Sequence, residues 1–303
     1  MTAYAPPELH APIRPQEATI DLSIIIGTRN RAEALALVLD AFTRIQTRYN
    51  WELIVVDNGS TDATRDVLAR ATSTLPLVAL MQPKPGLSRA HNAARGVARA
   101  PILAFIDDDC YPQPDFIDQV IEVFRSPSTA FMGGRVLLHD PTDLPITIQT
   151  RATPLDLPAG STLAPGILHG ANLAFRAEAF DALGGFDELL GPGGLCRSGG
   201  DWDLVLRALA AGYHGCYDPG PTVAHHHRRK HIAEQRDLER RYDYGRGAVY
   251  LKALRGTTPH RQALRWARQS WIETIRAPRR DLRAVRARLR ECAGAWRYLW
   301  LSL

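Results

Sequence analysis

Residues 102–109 read Ile-Leu-Ala-Phe-Ile-Asp-Asp-Asp, a short apolar run that ends in three adjacent carboxylates. An apolar run of this kind is typical of a strand that is buried on both faces of a parallel sheet. Open α/β sheets bind their ligands at the carboxyl ends of such strands. Crowded carboxylates repel one another, so we expect Asp107, Asp108 and Asp109 to lie near a divalent cation, Mg²⁺ or Mn²⁺, that also contacts a substrate diphosphate. A solvated acidic turn is the alternative interpretation.

Apolar runs rich in Ile and Val alternate with helical patterns through the first part of the chain. This alternation predicts an α/β domain with a mostly parallel central sheet flanked by helices. A further helix is expected from near Asp201 to Gly212, and the proline-bearing segment 139–166 is expected to be a loop that forms a lid or a substrate surface. The predicted strands are Leu22–Ile26, Leu53–Val56, Leu77–Met81, Ile102–Ile106 and Phe131–Leu138, and the predicted helices are Ala32–Thr47, Thr61–Ala71, Leu87–Ala98 and Asp115–Phe124.

The composition is typical of a globular protein, since the chain has 303 residues of which 45% are hydrophobic and 23% are charged. No apolar run approaches the roughly 18 to 20 residues that a membrane-spanning helix needs. Residues 1–16 contain prolines but no apolar stretch of the kind found in a secretory signal. The four cysteines lie far apart without a CxxC pair, which argues against a zinc ribbon or a disulfide framework and for a reducing compartment. We therefore expect a cytoplasmic protein.

Positive charge is concentrated at the C-terminal end of the chain. The net charge is +5, but residues 232–303 contain 17 lysines and arginines against 7 acidic residues, so the rest of the chain is acidic. This region is predicted to be helical, and it carries one apolar stripe formed by Leu282, Val285, Leu289, Cys292, Trp296, Leu299 and Leu303. Three interpretations stay open. The helices dock on the rest of the chain or on a second copy, or residues 278–303 lie on the anionic inner face of a membrane, or the region binds nucleic acid, which is least favoured because no recognised module is present.

Other strand and helix ends carry polar residues. Asp57 follows the second predicted strand and is placed to accept a hydrogen bond from a base or a ribose, whereas Ser60–Asp62 fits a helix cap. The loop with Gly86 and Arg89 opens the third helix, where backbone N–H groups and a guanidinium suit a phosphate. The run His225–His227 does not predict a zinc site, because contiguous histidines cannot all reach one ion with good geometry.

Seven motifs follow one another in an order that resembles the family 2 glycosyltransferases with the GT-A fold. They are Leu22–Arg31, Val55–Asp62, Gly86–Asn92, Phe105–Asp109, His169–Arg176, Gly184–Asp187 and Gly200–Arg207. The resemblance covers roughly residues 20–231. It implies a GT-A nucleotide-diphospho-sugar transferase fold and divides the chain into an N-terminal tail (1–20), a catalytic domain (21–231) and a basic helical appendage (232–303).

The resemblance also implies roles for the residues at matching positions. Asp201 corresponds to the general base, and Asp57 would read the base of a uridine- or thymidine-diphosphate sugar. Asp109 is the first choice for a direct metal ligand, with Asp107 and His225 beside it. The residues implied to line the nucleotide and donor sugar are Thr28, Arg29, Asp57, Arg89, Asn92, Asp107, Asp108, Gly170 and Asn172.

The activity implied by the resemblance is a metal-dependent, inverting transfer of a sugar from a nucleotide-diphosphate donor, with UDP or dTDP favoured, to a hydroxyl of a glycan, lipid-linked or small-molecule acceptor. Two positions depart from the family pattern. Gly27 stands where Pro or Ala is usual, and Gly200 stands where a Glu usually precedes the base, which leaves the positioning of the acceptor open. A nucleotidyltransferase and a non-catalytic nucleotide-sugar-binding or scaffold protein are the alternatives.

Overall fold

The computed structural model describes residues 19–161, 163–255, 261–276 and 282–303. Strands and helices alternate from the first described residues, as the sequence predicts. The elements of the first part are β1 (Leu22–Thr28), α1 (Ala32–Phe42), β2 (Trp51–Asp57), α2 (Thr64–Ala71), β3 (Leu77–Met81), α3 (Leu87–Arg95) and β4 (Ile102–Ile106). The elements that follow are β5 (Cys110–Pro112), α4 (Phe116–Val123), β6 (Thr129–Leu138), β7 (Leu155–Leu157), β8 (Asn172–Arg176), α5 (Ala177–Ala182), α6 (Gly200–Ala210), β9 (His214–His225), α7 (Ile232–Arg255), α8 (Arg261–Arg276) and α9 (Leu282–Leu301).

Three helices are shorter than predicted by three residues or more, and local contacts explain each difference; α4 loses one residue at each end. The chain leaves α1 after Phe42 because the Gln46 N–H donates to the Pro114 carbonyl, outside the helix. The start of α2 moves to Thr64 because the Asp62 carboxylate accepts hydrogen bonds from the Thr64 and Ala32 N–H groups. The helix α3 ends at Arg95, directly before Gly96, a residue that disfavours helix propagation.

The central sheet is parallel in one half and mixed in the other. Its strand order is β3-β2-β1-β4-β8-β6-β9-β5, with β7 paired to β9. The strands β3, β2, β1 and β4 are parallel, whereas β8 is antiparallel to both β4 and β6. The expectation of a mostly parallel sheet therefore holds for the half that contains the acidic motif. The long segment before β8 lets that strand enter the sheet in the opposite direction.

The strand register brings distant motifs to one edge of the sheet. Ile106, the last residue of β4, pairs with Asn172, the first residue of β8. Cys110 pairs with His225, the last residue of β9. The three carboxylates that follow β4 thus lie between the motif that contains Gly170 and the histidine run.

The hydrophobic core lies on both faces of the sheet, because neighbouring residues of a strand point to opposite faces. Ile25 packs in a cluster with Phe105, whereas Ile24 and Ile26 belong to the cluster on the other face. The first cluster continues into the C-terminal helices through Ala248, Val249, Tyr250 and Tyr298. The hydrophobic core therefore crosses the predicted domain boundary at residue 232.

The helix α9 docks on α7 at very close range. A Cβ atom at Gly294 would lie within 1.9 Å of the Tyr244 carbonyl oxygen, and one at Gly247 within 1.8 Å of the Glu291 carbonyl oxygen. The buried residues of α9 are Glu291, Gly294 and Tyr298. The apolar stripe noted in the sequence lies elsewhere, since Leu289 and Trp296 are exposed. Residues 278–281 of the proposed membrane-surface segment lie outside the described residues.

None of the described helices combines the length and the apolar character needed to cross a bilayer. The predicted N-terminal tail falls almost wholly outside the described part of the chain, which begins at residue 19.

Candidate functional site

A cavity of about 1160 Å³ opens at the carboxyl ends of the parallel strands. The ends of β1 and β4 form its floor, the glycine-rich loop 191–200 forms one wall, and α7 and α9 contribute another. Some residues that line this cavity were predicted from the sequence to belong to the site, and others were not. The lining includes Thr28, Arg29, Arg31, Asp107, Asp108, Asp109, His169, Gly170, Asp201, His225, Arg229 and Tyr242.

Asp108 is held in place by two neighbours. The Thr28 hydroxyl donates to Asp108 Oδ2 at 2.7 Å, and Arg31 Nη1 lies 2.9 Å from Asp108 Oδ1. Burial raises the pKa of Asp108 to about 6, against the opposing charge of Arg31. With both oxygens occupied, Asp108 positions the other side chains of the cluster rather than offering a free ligand atom.

Asp107 and Asp109 keep oxygen atoms available. The Asp107 carboxylate has no hydrogen bond or ion pair with any described residue, and it lines the cavity. Asp109 Oδ2 accepts a hydrogen bond from Arg31 Nη2 at 2.7 Å, whereas Asp109 Oδ1 is buried and has no hydrogen-bond partner among the described residues. An unpaired carboxylate oxygen in a buried setting is costly unless a cation or a donor meets it.

The pKa values of these two carboxyls diverge. Burial raises the pKa of Asp107 to about 7, and the neighbouring charge of Asp109 adds to the effect. Burial also acts to raise the pKa of Asp109, but His225 and Arg31 outweigh it, and the pKa of Asp109 falls below its usual range. A divalent cation between the two carboxylates would stabilise the ionised form of both.

His225 completes a set of side chains that fits a divalent ion. One ligand atom each from Asp107, Asp109, Cys110 and His225 lies within 4.8 Å of the others. His225 Nε2 is 3.2 Å from Asp109 Oδ1, but without the geometry of a hydrogen bond, so this contact is electrostatic. Burial raises the pKa of the Cys110 thiol, and sulfur is in any case a poor ligand for hard cations such as Mg²⁺ and Mn²⁺. Two carboxylates and one imidazole suit Mg²⁺ or, better, Mn²⁺.

The orientation of His225 is set by Thr147. His225 Nδ1 lies 3.1 Å from the Thr147 carbonyl oxygen and 3.3 Å from its hydroxyl. Because a carbonyl oxygen only accepts hydrogen bonds, Nδ1 carries a proton and Nε2 faces the carboxylates. Burial acts to lower the pKa of His225, but the charges of Asp109 and Asp107 outweigh it and raise the pKa, so a metal at Nε2 would have to displace a proton. Thr147 has a φ of +53°, a left-handed conformation that is uncommon outside glycine. No sequence motif identifies Thr147, which lies in the predicted loop.

Asp201 stands at the start of α6, and backbone groups hold its carboxylate. The Gly170 N–H donates to Asp201 Oδ2 at 2.9 Å, and the Trp202 N–H donates to Oδ1 at 2.8 Å. These bonds fix the orientation of the carboxylate and leave lone pairs free towards the cavity. Asp201 is preceded by Gly200, the position at which the family usually has a Glu. A Cβ atom at Gly200 would lie 3.1 Å from Ser88 Oγ. Ser88 therefore occupies part of the space that the usual Glu would need.

Tyr242 of α7 and His169 face the same part of the cavity as Asp201. Removal of the Tyr242 hydroxyl from water, together with the charge of Asp201, raises the pKa of Tyr242 to about 12, so the hydroxyl stays protonated although 40% of the residue is exposed. Burial lowers the pKa of His169 against the charge of Asp201, which favours the neutral ring. His169 belongs to a quoted motif but had no predicted role, and Tyr242 lies in a helix where periodicity carries no sign of a functional site.

Several residues expected to contact the nucleotide or donor have other partners in the structure. The Asp57 carboxylate accepts a hydrogen bond from the Ser60 N–H at 2.7 Å and pairs with Arg65, and Arg89 pairs with Glu188. None of Asp57, Arg89, Asn92 and Asn172 is among the residues that line the cavity.

The two asparagines connect backbone segments. Asn92 Nδ2 donates to the Phe186 carbonyl and its Oδ1 accepts from the Phe186 N–H, both at 2.9 Å. Asn172 Nδ2 donates to the carbonyl oxygens of Arg135 and Pro221. Asn92 thus holds Phe186, which lines the cavity, and a direct contact of either asparagine with the donor would require it to leave these partners.

Unpaired arginines make the remainder of the cavity positive. Four arginines line it without a carboxylate partner among the described residues: Arg29, Arg197, Arg229 and Arg240. The guanidinium of Arg197 stacks 4.8 Å from the ring centre of Tyr244, and its backbone has a φ of +69°. This cavity is therefore suited to an anionic ligand.

Comparison with known proteins places this geometry in context. The model of the family described as glycosyl transferase family 2 matches residues 23–184. The chain is 27% identical over 240 residues to the pre-mycofactocin glycosyltransferase of Mycobacterium tuberculosis, covering 76% of this chain and 47% of the relative. It is 26% identical over 195 residues to the glycosyltransferase AglE of Haloferax volcanii, covering 63% and 62%. The chain thus spans only part of the length of these curated relatives.

Two solved structures share the fold. The mannosyltransferase PcManGT from Pyrobaculum calidifontis, in complex with GDP-Man and Mn²⁺, has a TM-score of 0.62 at 18% identity, covering 96% of this chain and 92% of its own. TarS residues 1–349 from S. aureus, in complex with UDP-GlcNAc, has a TM-score of 0.60 at 14% identity, covering 90% and 79%. At these identities the likeness is one of fold, and it agrees with the GT-A fold that the sequence predicts.

Proposed function

The chain belongs to glycosyl transferase family 2, and on that basis we propose that it transfers a sugar from a nucleotide-diphosphate donor to an acceptor hydroxyl. One observation carries the proposal. A single positive cavity holds Asp107, Asp109 and His225 at one side and the Asp201 carboxylate, oriented by two backbone N–H groups, at another. The first group suits a metal-bound diphosphate, and the second suits proton abstraction from a hydroxyl.

The donor side of the proposal concerns the leaving group. Asp107, Asp109 and His225 would hold Mg²⁺ or Mn²⁺, which supplies positive charge to the diphosphate as it departs. Arg29 and Arg229 line the same cavity and add positive charge near an anionic donor. Arg31 keeps Asp108 and Asp109 in place through its two ion pairs.

The acceptor side concerns Asp201. Its carboxylate takes the proton of the acceptor hydroxyl while the hydroxyl oxygen forms a bond to the anomeric carbon. The bond from that carbon to the diphosphate oxygen breaks, and the nucleoside diphosphate leaves with the electron pair. A single displacement of this kind inverts the configuration at the anomeric carbon and needs no carboxylate nucleophile.

The donor base and the acceptor are the least constrained parts of the proposal. UDP or dTDP is favoured through Asp57, although this carboxylate already binds the Ser60 N–H and pairs with Arg65. One structural neighbour holds GDP-Man and another UDP-GlcNAc, so the donor panel must include guanine as well as uracil and thymine nucleotides. For the acceptor we propose a hydroxyl on a glycan, a lipid-linked sugar or a small molecule.

The proposal is tested by incubating a panel of UDP-, dTDP- and GDP-sugars with the protein and Mn²⁺, and measuring nucleoside diphosphate release, with water as the substitute acceptor. We expect release from at least one donor, reduced about 100-fold or more in Asp201→Asn because the general base is lost. Asp66→Asn, an exposed substitution on α2, is the matched control and should match the wild type.

Two results contradict the proposal. Binding without any release would favour the non-catalytic nucleotide-sugar-binding protein. Release of inorganic pyrophosphate from nucleoside triphosphates, in place of nucleoside diphosphate from nucleotide sugars, would favour the nucleotidyltransferase.

A further inference from the structure

The outward face of α9 is apolar and exposed. Leu282, Val285, Leu289, Trp296 and Trp300 all have more than two fifths of their surface accessible, with Trp296 at 71% and Trp300 at 65%. Their spacing of three, four and seven residues places them on one side of the helix. Leu303, two residues beyond the end of the helix, is also exposed. Two exposed tryptophans within a continuous apolar face are unusual on a surface that meets only water.

The hydrophobic core of the same chain does not cover this face, because α9 docks on α7 through its other side. Gly294 approaches the Tyr244 carbonyl too closely to tolerate a Cβ. The Tyr298 hydroxyl donates to Asp187 Oδ2 at 2.7 Å, and Arg290 pairs with Asp243 at 2.6 Å. Rotating the helix to bury the apolar face would break these contacts.

The charged residues beside the exposed apolar face of α9 are arginines. The arginines of α9 are Arg283, Arg286, Arg288, Arg290 and Arg297, and its one acidic residue, Glu291, is 3% exposed and paired with Arg246 and Arg288. By helical spacing, Arg283, Arg286 and Arg297 lie along one border of the apolar face. A helix with an apolar face, aromatic residues and arginines at the border has the pattern of an interfacial helix.

The neighbouring helix repeats the pattern. Trp271 and Ile275 of α8 are exposed one turn apart, Ile275 at 77%, and Arg268 and Arg276 are exposed on the same helix. Exposed apolar residues next to arginines therefore occur on both α8 and α9.

We propose that the outward face of α9 lies on an anionic lipid surface. The tryptophans and leucines would enter the boundary between headgroups and acyl chains, while the flanking arginines would reach the lipid phosphates. A second copy of the chain fits less well, since pairing two such faces would bring arginine borders of equal charge together. Nucleic acid would engage the arginines but leave the apolar face in water. This inference does not depend on the proposed sugar transfer.

The test is co-sedimentation of the full chain with vesicles of phosphatidylcholine alone and with added phosphatidylglycerol. We expect binding to the anionic vesicles that weakens as salt is raised. The double variant Trp296→Ser/Trp300→Ser should bind at least about tenfold more weakly, since it removes two large apolar anchors. Leu37→Ser, at an exposed leucine of α1, is the matched control and should bind like the wild type.

Circular dichroism of the double variant checks that it folds, as expected for substitutions at exposed positions. The proposal is overturned if anionic vesicles do not bind the wild type, or if the double variant binds them equally well. It is also overturned if sedimentation velocity shows a dimer of the wild type that the double variant loses and that vesicles do not dissociate. Binding to DNA or RNA without vesicle binding would assign the arginines to nucleic acid instead.

Discussion

At the scale of single residues, the positive charge of Arg31 offsets part of the negative charge of Asp107, Asp108 and Asp109. Arg31 spans Asp108 and Asp109 with contacts of 2.9 and 2.7 Å, and the charges of these residues raise the pKa of Arg31 against the effect of its own burial. The guanidinium thus neutralises part of the cluster, while Asp107 and Asp109 Oδ1 have no such partner in the described part of the chain. Arg31 and a divalent cation should therefore share the task of stabilising the carboxylates.

This division predicts how Arg31→Gln behaves. Without the guanidinium the carboxylates repel one another, and the free energy of unfolding should fall by about 1–3 kcal/mol, less than for a fully buried pair because Arg31 is 38% exposed. Addition of Mn²⁺ should then raise the melting temperature more in the variant than in the wild type. Thermal unfolding with and without Mn²⁺ measures both effects.

Arg29→Gln is the control for this experiment, since Arg29 has no ion pair with a described residue. It should show the wild-type stability and the wild-type response to Mn²⁺. An equal Mn²⁺ response in Arg31→Gln and the wild type would contradict the shared role.

The sequence predicts which residues meet at the cavity better than it predicts their supports. Asp107, Asp109, Asp201 and His225 line one cavity, since each lies at the start or the end of an element at the same edge of the sheet. Thr147 could not be found in this way, because its contact with His225 depends on how an irregular segment folds back.

Tyr242, Asn92 and Asn172 also show what the sequence does not predict about the site. Tyr242 reaches the cavity only because α7 docks beside it, which is a tertiary contact without a local signal. Asn92 and Asn172 match motif positions, yet both bind backbone atoms. A polar side chain in a motif can either contact a ligand or hold two backbone segments together, and the sequence alone does not distinguish these two roles.

At the scale of elements, the pairing of α7 with α9 depends on glycines. Gly247 and Gly294 let the two backbones approach until a carbonyl oxygen fills the place of a side chain. Asp243 and Glu291 are buried at this contact and paired with arginines. The apolar stripe in the sequence identified α9 as a helix but did not predict its docked side, because small and charged residues form that side.

Gly247→Ala should loosen the docking of α9. The added Cβ would meet the Glu291 carbonyl oxygen at 1.8 Å, so the helices must separate, at a cost of about 1–3 kcal/mol or more. Hydrogen exchange followed by mass spectrometry should show faster exchange in α9 and unchanged exchange in β1 and β4.

Gly96→Ala is the matched glycine control, because a Cβ there meets only the Ala93 carbonyl oxygen, at 3.3 Å. It should leave exchange in α9 unchanged. Unchanged protection of α9 in Gly247→Ala would contradict the close docking described above.

At the scale of the whole molecule, one hydrophobic cluster joins the sheet to the C-terminal helices. Phe105 of β4 belongs to the same cluster as Val249 of α7 and Tyr298 of α9. Lys252 of α7 adds ion pairs of 2.8 Å to Asp187 and Asp203. The change of charge at residue 232 is thus a boundary in composition across which the core is continuous.

Calorimetry should accordingly record one cooperative unfolding transition for the full chain, with the calorimetric enthalpy equal to the van't Hoff enthalpy. The shared core requires the sheet and α7 to unfold together. Two resolved transitions would instead show that the appendage is an independent domain.

The central claim is that the cavity binds a nucleotide sugar through a metal held by Asp107, Asp109 and His225. Isothermal titration of the UDP-, dTDP- and GDP-sugar panel tests it directly, in Mn²⁺ and in EDTA, with Asp109→Asn and the control Asp66→Asn. We predict saturable binding of at least one donor in Mn²⁺, weakened at least about tenfold by EDTA and by Asp109→Asn, because metal and ligand residue act together. Failure of every donor to bind in Mn²⁺, or equal binding by Asp109→Asn, would contradict it.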